Sequence, residues 1–207
     1  MMKNYSQSNE QEVILNYFKD YDRLTFLSIG ENDGETLSNV RALALSGRAC
    51  GVMVEPSPRA FARMKSLYSD NKKGCFYLYD CALGNHNGKA ILHDSGELLK
   101  KGDVALVSTL VEEEKKRFQS VLSYEPIEVK VYRWLTFYNR LKIKKFDFVS
   151  IDAEGLDADI LEQMDVTDFQ CVCIEWNGKQ SMKERFEKKL QGFRIIYTSG
   201  ENLIFAR

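Results

Sequence analysis

Along the chain, short apolar runs alternate with stretches in which apolar residues recur every three or four positions. That alternation predicts an α/β fold with a mostly parallel sheet. "LTFLSI" (24–29), "ACGVMVE" (49–55), "CFYLYD" (75–80), "KFDFVSID" (145–152) and "FQCVCIEW" (169–176) read as buried strands. Val13, Ile14, Tyr17 and Phe18 place a helix over about residues 9–21. Leu37, Val40 and Ala44 place a second, starting near Asp33 and stopped by the "SG" at 46–47. In "PSPRAFARMKSLYSD", Ser57 is suited to the N-cap and Pro58 to the first helical position. "DADILEQM" reads as a short helix, and Met182, Phe186 and Leu190 mark one face of another. The C-terminal "FRIIYTSGENLIFAR" holds two alternating runs joined by "SGEN", which predicts a hairpin and one antiparallel strand in the sheet.

The middle of the chain breaks this rhythm. "GNHNGKAILHDSG" has a turn followed by a short alternating run, as in a hairpin or the strand of a surface excursion. "VEEEKKRFQSVL" is a charged helix with few apolar anchors, suited to a solvated face or a mobile lid. "IEVKVYRW" (127–134) alternates again and reads as a strand. No boundary divides the chain. Residues 1–207 read as one domain with an inserted excursion over about 84–132.

Composition changes this picture little. The 207 residues are 44% hydrophobic, enough for a sizeable core. With 29 basic against 30 acidic residues, no strong positive field exists to hold a phosphate backbone, so nucleic acid is not an expected partner. No apolar run has the length of a membrane span, and "MMKNYSQSNEQE" lacks the apolar centre of a signal peptide. The five cysteines include no C-x-x-C pair, and the expectation is reduced thiols in a cytoplasm.

Candidate chemistry gathers at strand ends. "FLSIGENDGETL" (26–37) carries Gly30 and Gly34 just past the first strand. A glycine there lets the backbone turn or approach a ligand closely, and a helix starting near Asp33 would offer free N–H groups to an anion. The spacing is G-x-x-x-G, so the dinucleotide fingerprint G-x-G-x-x-G is absent. Glu55 ends the second strand, where an acid can accept from a ribose diol. Asp80 ends the third and can accept from an adenine amino group. In open α/β sheets, ligands bind beyond the carboxyl ends of the strands.

"LSIGENDGETL", "VEPSP", "DCALGNHNGKA", "FDFVSIDAEGLDADIL" and "CIEWN" fall in the order and spacing of the FkbM-type methyltransferases, which this chain resembles from about residue 24 to 177. The resemblance implies a Rossmann-like, doubly wound class I methyltransferase fold and S-adenosylmethionine as cofactor. It implies that Gly30, Asn32 and Gly34 border the methionine half, that Glu55 with Pro56 holds the ribose, and that Asp80, Cys81 and Ala82 flank the adenine. Where many members carry an acid, two positions before the first glycine, this chain has Ser28, while Glu31 replaces a small residue. Glu31 or Asp33 is then a candidate source of the missing charge.

"SIDAEGLDADI" supplies Asp152, Glu154, Asp157 and Asp159 within eight positions. Asp152 is expected to point into the crevice beside the cofactor. Asp157 is expected to serve the following helix, and Asp159 to be solvated. Methyl transfer to an alcohol needs collinear alignment and a base for the hydroxyl proton. Asp152 and Glu154 suit that role. With Glu175 they also suit a divalent cation that lowers the hydroxyl pKa. His93, and less so His86, can supply a base from the excursion. Trp134, Trp176, Tyr124, Tyr132 and Tyr138 can line a substrate wall or pack, and Ser108 and Thr109 can reach the cofactor.

The leading expectation is an S-adenosylmethionine-dependent methyltransferase acting on an oxygen of a small molecule or saccharide. The alternatives are an NAD(P)-dependent oxidoreductase and a catalytically inactive binding module of the same fold.

Overall fold

A computed structural model describes residues 3–69, 75–97 and 104–207. Seven strands form the main sheet: β1 (Leu24–Ile29), β2 (Ala49–Val54), β3 (Cys75–Tyr79), β7 (Phe146–Ile151), β8 (Phe169–Glu175), β9 (Arg194–Thr198) and β10 (Asn202–Ala206). Their order is β3-β2-β1-β7-β8-β10-β9. The first five of these run parallel. β10 runs antiparallel to both β8 and β9, as the terminal hairpin requires. A second sheet of three strands, β4 (Ala82–Leu83), β5 (Gly88–Asp94) and β6 (Glu125–Tyr132), belongs to the excursion, with β6 between the other two, and so does the charged helix α4 (Glu112–Phe118). The excursion expected over 84–132 includes residues 98–103, which lie outside the described residues.

Side-chain alternation divides the core between the two faces of the main sheet. Leu27, Ile29, Val52, Val54, Val149, Ile151, Val172 and Ile174 pack on one face. They meet α5 (Trp134–Tyr138), α6 (Asp157–Gln163) and α7 (Gln180–Lys189) through Phe137, Ile160, Leu161 and Phe186. Phe26, Met53, Phe148, Cys171, Cys173 and Ile204 pack on the other. There they meet α1 (Glu10–Tyr17), α2 (Arg41–Leu45) and α3 (Pro58–Ser69) through Ile14, Phe18, Leu43, Met64 and Tyr68. Phe148 is fully buried in the second layer, where truncation to alanine costs about 3–5 kcal/mol.

Four expectations are corrected. The helix expected from Asp33 begins only at Arg41. Asn32, Gly34 and Leu37 take left-handed φ values of 56°, 82° and 56°, which no helix tolerates, and Ser38 Oγ accepts from the Arg41 N–H at 2.9 Å. The N-terminal helix stops at Tyr17. The strand read through Trp134 ends at Tyr132, and α5 begins at Trp134. Finally, Cys50 and Cys75 are disulfide-bonded, with Cα atoms 4.7 Å apart, while Cys81, Cys171 and Cys173 are free and buried. The β2–β3 register sets Cys50 directly opposite Cys75, a proximity that separation in sequence conceals. No helix among the described residues is long and apolar enough to cross a membrane.

Candidate functional site

Strand order reverses at β1, which has β2 on one side and β7 on the other. A cleft opens beyond the carboxyl ends of these strands, as expected at such a switch point, and encloses about 860 Å³ out to its open mouth. Its walls include Ser28, Gly30, Glu31 and Asn32 from the end of β1, Glu55 and Pro56 after β2, and Asp152, Ala153 and Glu154 after β7. Cys81, Ala82, Leu83, Leu92 and Leu156 form an apolar side. The excursion covers the cleft with Ala105, Leu106, Ser108 and Leu110.

The tight turn after β1 is set by the protein itself. Gly30 has φ +76°, and a Cβ on it would lie 1.7 Å from the Asp152 carbonyl oxygen. Gly34 has φ +82°, and its Cβ would lie 2.7 Å from the Tyr68 ring. Both glycines therefore make room for other parts of the chain, and Gly34 is not among the cleft-lining residues. Asp33 caps the loop: its carboxylate accepts from the N–H of Glu35 (2.9 Å) and of Thr36 (2.7 Å).

Glu31 and Glu55 are both 4% exposed. Glu31 accepts from Ser28 Oγ and Ser38 Oγ, each at 2.6 Å. Burial pushes its pKa up to about 7 against the pull of these two hydroxyls. Glu55 accepts from the Asn32 N–H (2.8 Å) and the Ser57 N–H (2.7 Å), so it both braces the β1 loop and caps α3. Burial raises its pKa to about 8. Asn32 in turn donates through Nδ2 to the Val104 carbonyl at 2.7 Å, tying the excursion to the loop.

Asp152, Glu154 and Glu175 converge after β7 and β8, with one ligand oxygen from each lying within 4.8 Å of the others. Burial, followed by the mutual repulsion of the acids, pushes all three carboxyl pKa values up. Among the described residues, none donates a hydrogen bond to the Asp152 or Glu154 carboxylate. Asp157 accepts from the N–H groups of Ala153 (2.8 Å) and Gly155 (3.1 Å), which shapes the turn that presents Asp152 and Glu154. Thr109 Oγ1 donates to the Glu154 carbonyl at 2.7 Å. Asp159, partly exposed, pairs with Arg185 at 2.6 Å.

Some sequence-predicted residues stay apart from the cleft. Asp80 follows β3, an edge strand; its exposed carboxylate faces Lys130 at 3.4 Å and is not among the cleft-lining residues. Its neighbours Cys81 and Ala82 do line the cleft, and burial pushes the Cys81 thiol up to about 12, which leaves it an inert apolar wall. His93 pairs with Glu112 at 3.0 Å and is not among the lining residues; His86 is exposed. Sequence reasoning missed Ser38, Asn39 and Ser150, which do line the cleft. A signal existed for Ser150. "FLSIG" and "FVSID" are matching strand ends, and Ser28 and Ser150 are partners in the β1–β7 register.

A doubly wound sheet of this order, with its cleft at the switch point, is the class I methyltransferase fold. A family model described as the methyltransferase FkbM domain matches residues 28–195, and the chain belongs to that family. Among solved structures, the methyltransferase FkbM from Methylobacillus flagellatus KT superposes with a TM-score of 0.55 at 11% identity, covering 90% of this chain and 44% of its own. Monomeric WbdD superposes at 0.52 with 10% identity, over 97% of this chain and 41% of its own. Precorrin-6y C5,15-methyltransferase from Geobacter metallireducens GS-15 superposes at 0.50 with 12% identity, over 100% and 92%. This chain thus spans less than half the length of the first two, and at such identities the likeness is one of fold. No curated protein matches the sequence significantly.

Proposed function

We propose that the protein is an S-adenosylmethionine-dependent methyltransferase acting on an oxygen of a small molecule or saccharide. One observation carries the reading. Four carboxylates, Glu31, Glu55, Asp152 and Glu154, line a cleft whose described walls include no lysine, arginine or histidine. Carboxylates gathered in a partly desolvated space, with no cation among the lining residues, suit a positively charged ligand. The same charge argues against a nicotinamide dinucleotide, whose diphosphate would meet these acids and find no long helix N-terminus after β1.

The residues present fit an adenosyl sulfonium amino acid. Glu55 uses one lone pair on each oxygen for backbone N–H groups and keeps the others for a ribose diol. Pro56, Cys81, Ala82, Leu83 and Leu92 offer apolar surface for a purine. Gly30 and Asn32 border the methionine side. When bound, the sulfonium supplies an electrophilic methyl group. Asp152 and Glu154, free of hydrogen-bond donors, are placed to take the proton of an attacking hydroxyl. Burial pushes the Asp152 pKa up to about 7, which suits a base working near neutral pH, and burial raises that of Glu154 as well. With Glu175 they are also the place for a divalent cation that would acidify that hydroxyl.

Calorimetry with S-adenosylmethionine, followed by a methyl-transfer screen against hydroxyl acceptors with and without EDTA, tests the reading. Micromolar binding and transfer to an alcohol support it. Loss of transfer with EDTA assigns the acid cluster to a cation. Binding without transfer to any acceptor would favour an inactive module, and no binding at millimolar cofactor sinks the proposal.

A further inference from the structure

Residues 130–145 hold Lys130, Arg133, Arg140, Lys142, Lys144 and Lys145 and not one aspartate or glutamate, in a chain of net charge −1. The fold turns much of this run outward. β6 ends at Tyr132, α5 buries Trp134 and Phe137, and β7 begins only at Phe146. Arg133, Leu135, Arg140, Lys142 and Lys145 are left exposed. Aromatic rings, not acids, hold two of these cations. The Arg140 guanidinium lies 4.3 Å from the centre of the Tyr132 ring, and the Lys142 ammonium 5.2 Å from that of Tyr77. Arg133 donates its N–H to Asn87 Oδ1 at 2.9 Å, which fixes its backbone. Among the described residues, none of Arg133, Arg140 and Lys142 is paired with a carboxylate, whereas nearby Lys89 pairs with Glu128 and Lys130 with Asp80. Lys130 and Arg140 flank the Cys81 thiol together, which brings β6 and the segment after α5 to one side of the molecule.

Cations that are ordered and unpaired complement an anionic partner. Leu135 decides which kind. Its side chain is 68% exposed, on the turn that Asn139 closes by donating its N–H to the Leu135 carbonyl at 3.2 Å. A phosphodiester strand gains nothing from a lone aliphatic side chain. A bilayer interface does, because the leucine enters it while the cations stay among the headgroups. The extent of the charge agrees. Glu128 and Asp80 bound the run on one side, and Asp165, beside Lys145, bounds it on the other. Such a surface is too short to track a polyanion, but it can meet a flat one. We infer that Arg133, Leu135, Arg140 and Lys142 form a docking surface for an anionic lipid bilayer, with the cations on lipid phosphates and Leu135 in the interface. None of the four lines the cleft, so the surface is distinct from the proposed catalytic site. One leucine beside a few cations gives peripheral, reversible attachment that depends on anionic lipid.

Co-sedimentation with vesicles of phosphatidylcholine, with and without about 30% phosphatidylserine, tests this. Wild-type protein should bind the anionic vesicles, ignore the neutral ones, and detach as salt rises from about 0.05 to about 0.5 M. Arg133→Gln, Arg140→Gln and Lys142→Gln together should weaken binding about a hundredfold, and Leu135→Ser alone about tenfold. The same neutralisation at Lys19, Arg23 and Lys65, by the helices on the other face of the main sheet, should change it less than about twofold. All these side chains are exposed, and unchanged thermal melts would certify the fold of each variant. Failure to bind anionic vesicles, equal binding to neutral ones, or a Leu135→Ser variant that binds like wild type overturns the inference. So does a labelled single-stranded oligonucleotide held through Arg133, Arg140 and Lys142 while vesicles are ignored, which would assign the surface to nucleic acid.

Discussion

Two parts of the molecule bury carboxylates, and they treat them in opposite ways. Glu10, in α1, has no exposure at all, yet its oxygens are filled by the chain: Ser8 N–H (2.7 Å), Ser199 Oγ (3.0 Å) and Asn202 Nδ2 (3.3 Å). It pins the first helix to the hairpin turn between β9 and β10. Asp152 and Glu154 sit in the cleft with no donor among the described residues, and Glu31 and Glu55 keep lone pairs free. A carboxylate that the protein satisfies is part of the scaffold. One that it leaves short of partners is held for something else, at a cost to stability.

The largest expected effect separates the two groups by rate. Asp152→Asn should lower kcat about a hundredfold to ten-thousandfold while S-adenosylmethionine affinity, by calorimetry, changes little. A parallel collapse of affinity would move Asp152 from the chemistry to cofactor binding. Stability gives the converse. Glu10→Ala should cost about 2–4 kcal/mol in denaturant melts, because it strands the buried Asn202 amide and two half-buried donors, the Ser8 N–H and the Ser199 hydroxyl. Asp152→Asn should leave stability unchanged or raise it, because it removes a desolvated charge that no donor supports. If both variants melted alike, the division between scaffold and cleft acids would fail.

Titration sharpens the contrast further. Glu55 and Glu31 hold their protons up to about 8 and about 7 in the folded chain, against an ordinary 4.5. The folded state therefore binds protons that the unfolded chain has already released. Its stability from these groups is present at acid pH and is lost as pH rises from about 4.5 towards 8. A cationic ligand needs the ionised form, so its affinity should rise with pH up to about 8, by at most about tenfold per unit for each proton released. Calorimetry in buffers of different ionisation enthalpy would count those protons. Affinity flat from pH 6 to 8.5 would mean that neither acid needs to ionise for the ligand to bind. The smallest effect belongs to His93. His93→Gln should change kcat less than about threefold, since the ring faces Glu112 outside the cleft lining.

Much of this was legible in the sequence because strands announce themselves by continuous apolar runs. β1 falls on residues 24–29 as read, and the Ser57–Pro58 start of α3 is where its capping chemistry places it. The stretch after β1 was not legible. Leu37, Val40 and Ala44 have helical spacing, but the left-handed turns at Asn32, Gly34 and Leu37 defer the helix, and spacing carries no dihedral information. Asp80 shows a second limit. An acid at a strand end reads the same in sequence whether the strand is central, as for Glu55, or at an edge where water and Lys130 lie within reach. Asn39 had no signal at all, because its place in the cleft wall arises from the turn that carries it back over Ser150.

The contact of Gly30 with the Asp152 carbonyl has a consequence for how this protein can vary. The Asp152 N–H also donates to the Ile29 carbonyl at 3.0 Å, so the exits of β1 and β7 are latched to each other by main chain alone. The spacing between the Gly30 and Asp152 sides of the cleft is thereby independent of side-chain identity. The lining supplied by Ala105, Leu106, Ser108 and Leu110 can be rewritten while that spacing stays fixed, but a single methyl group added at position 30 would pry the two sides apart.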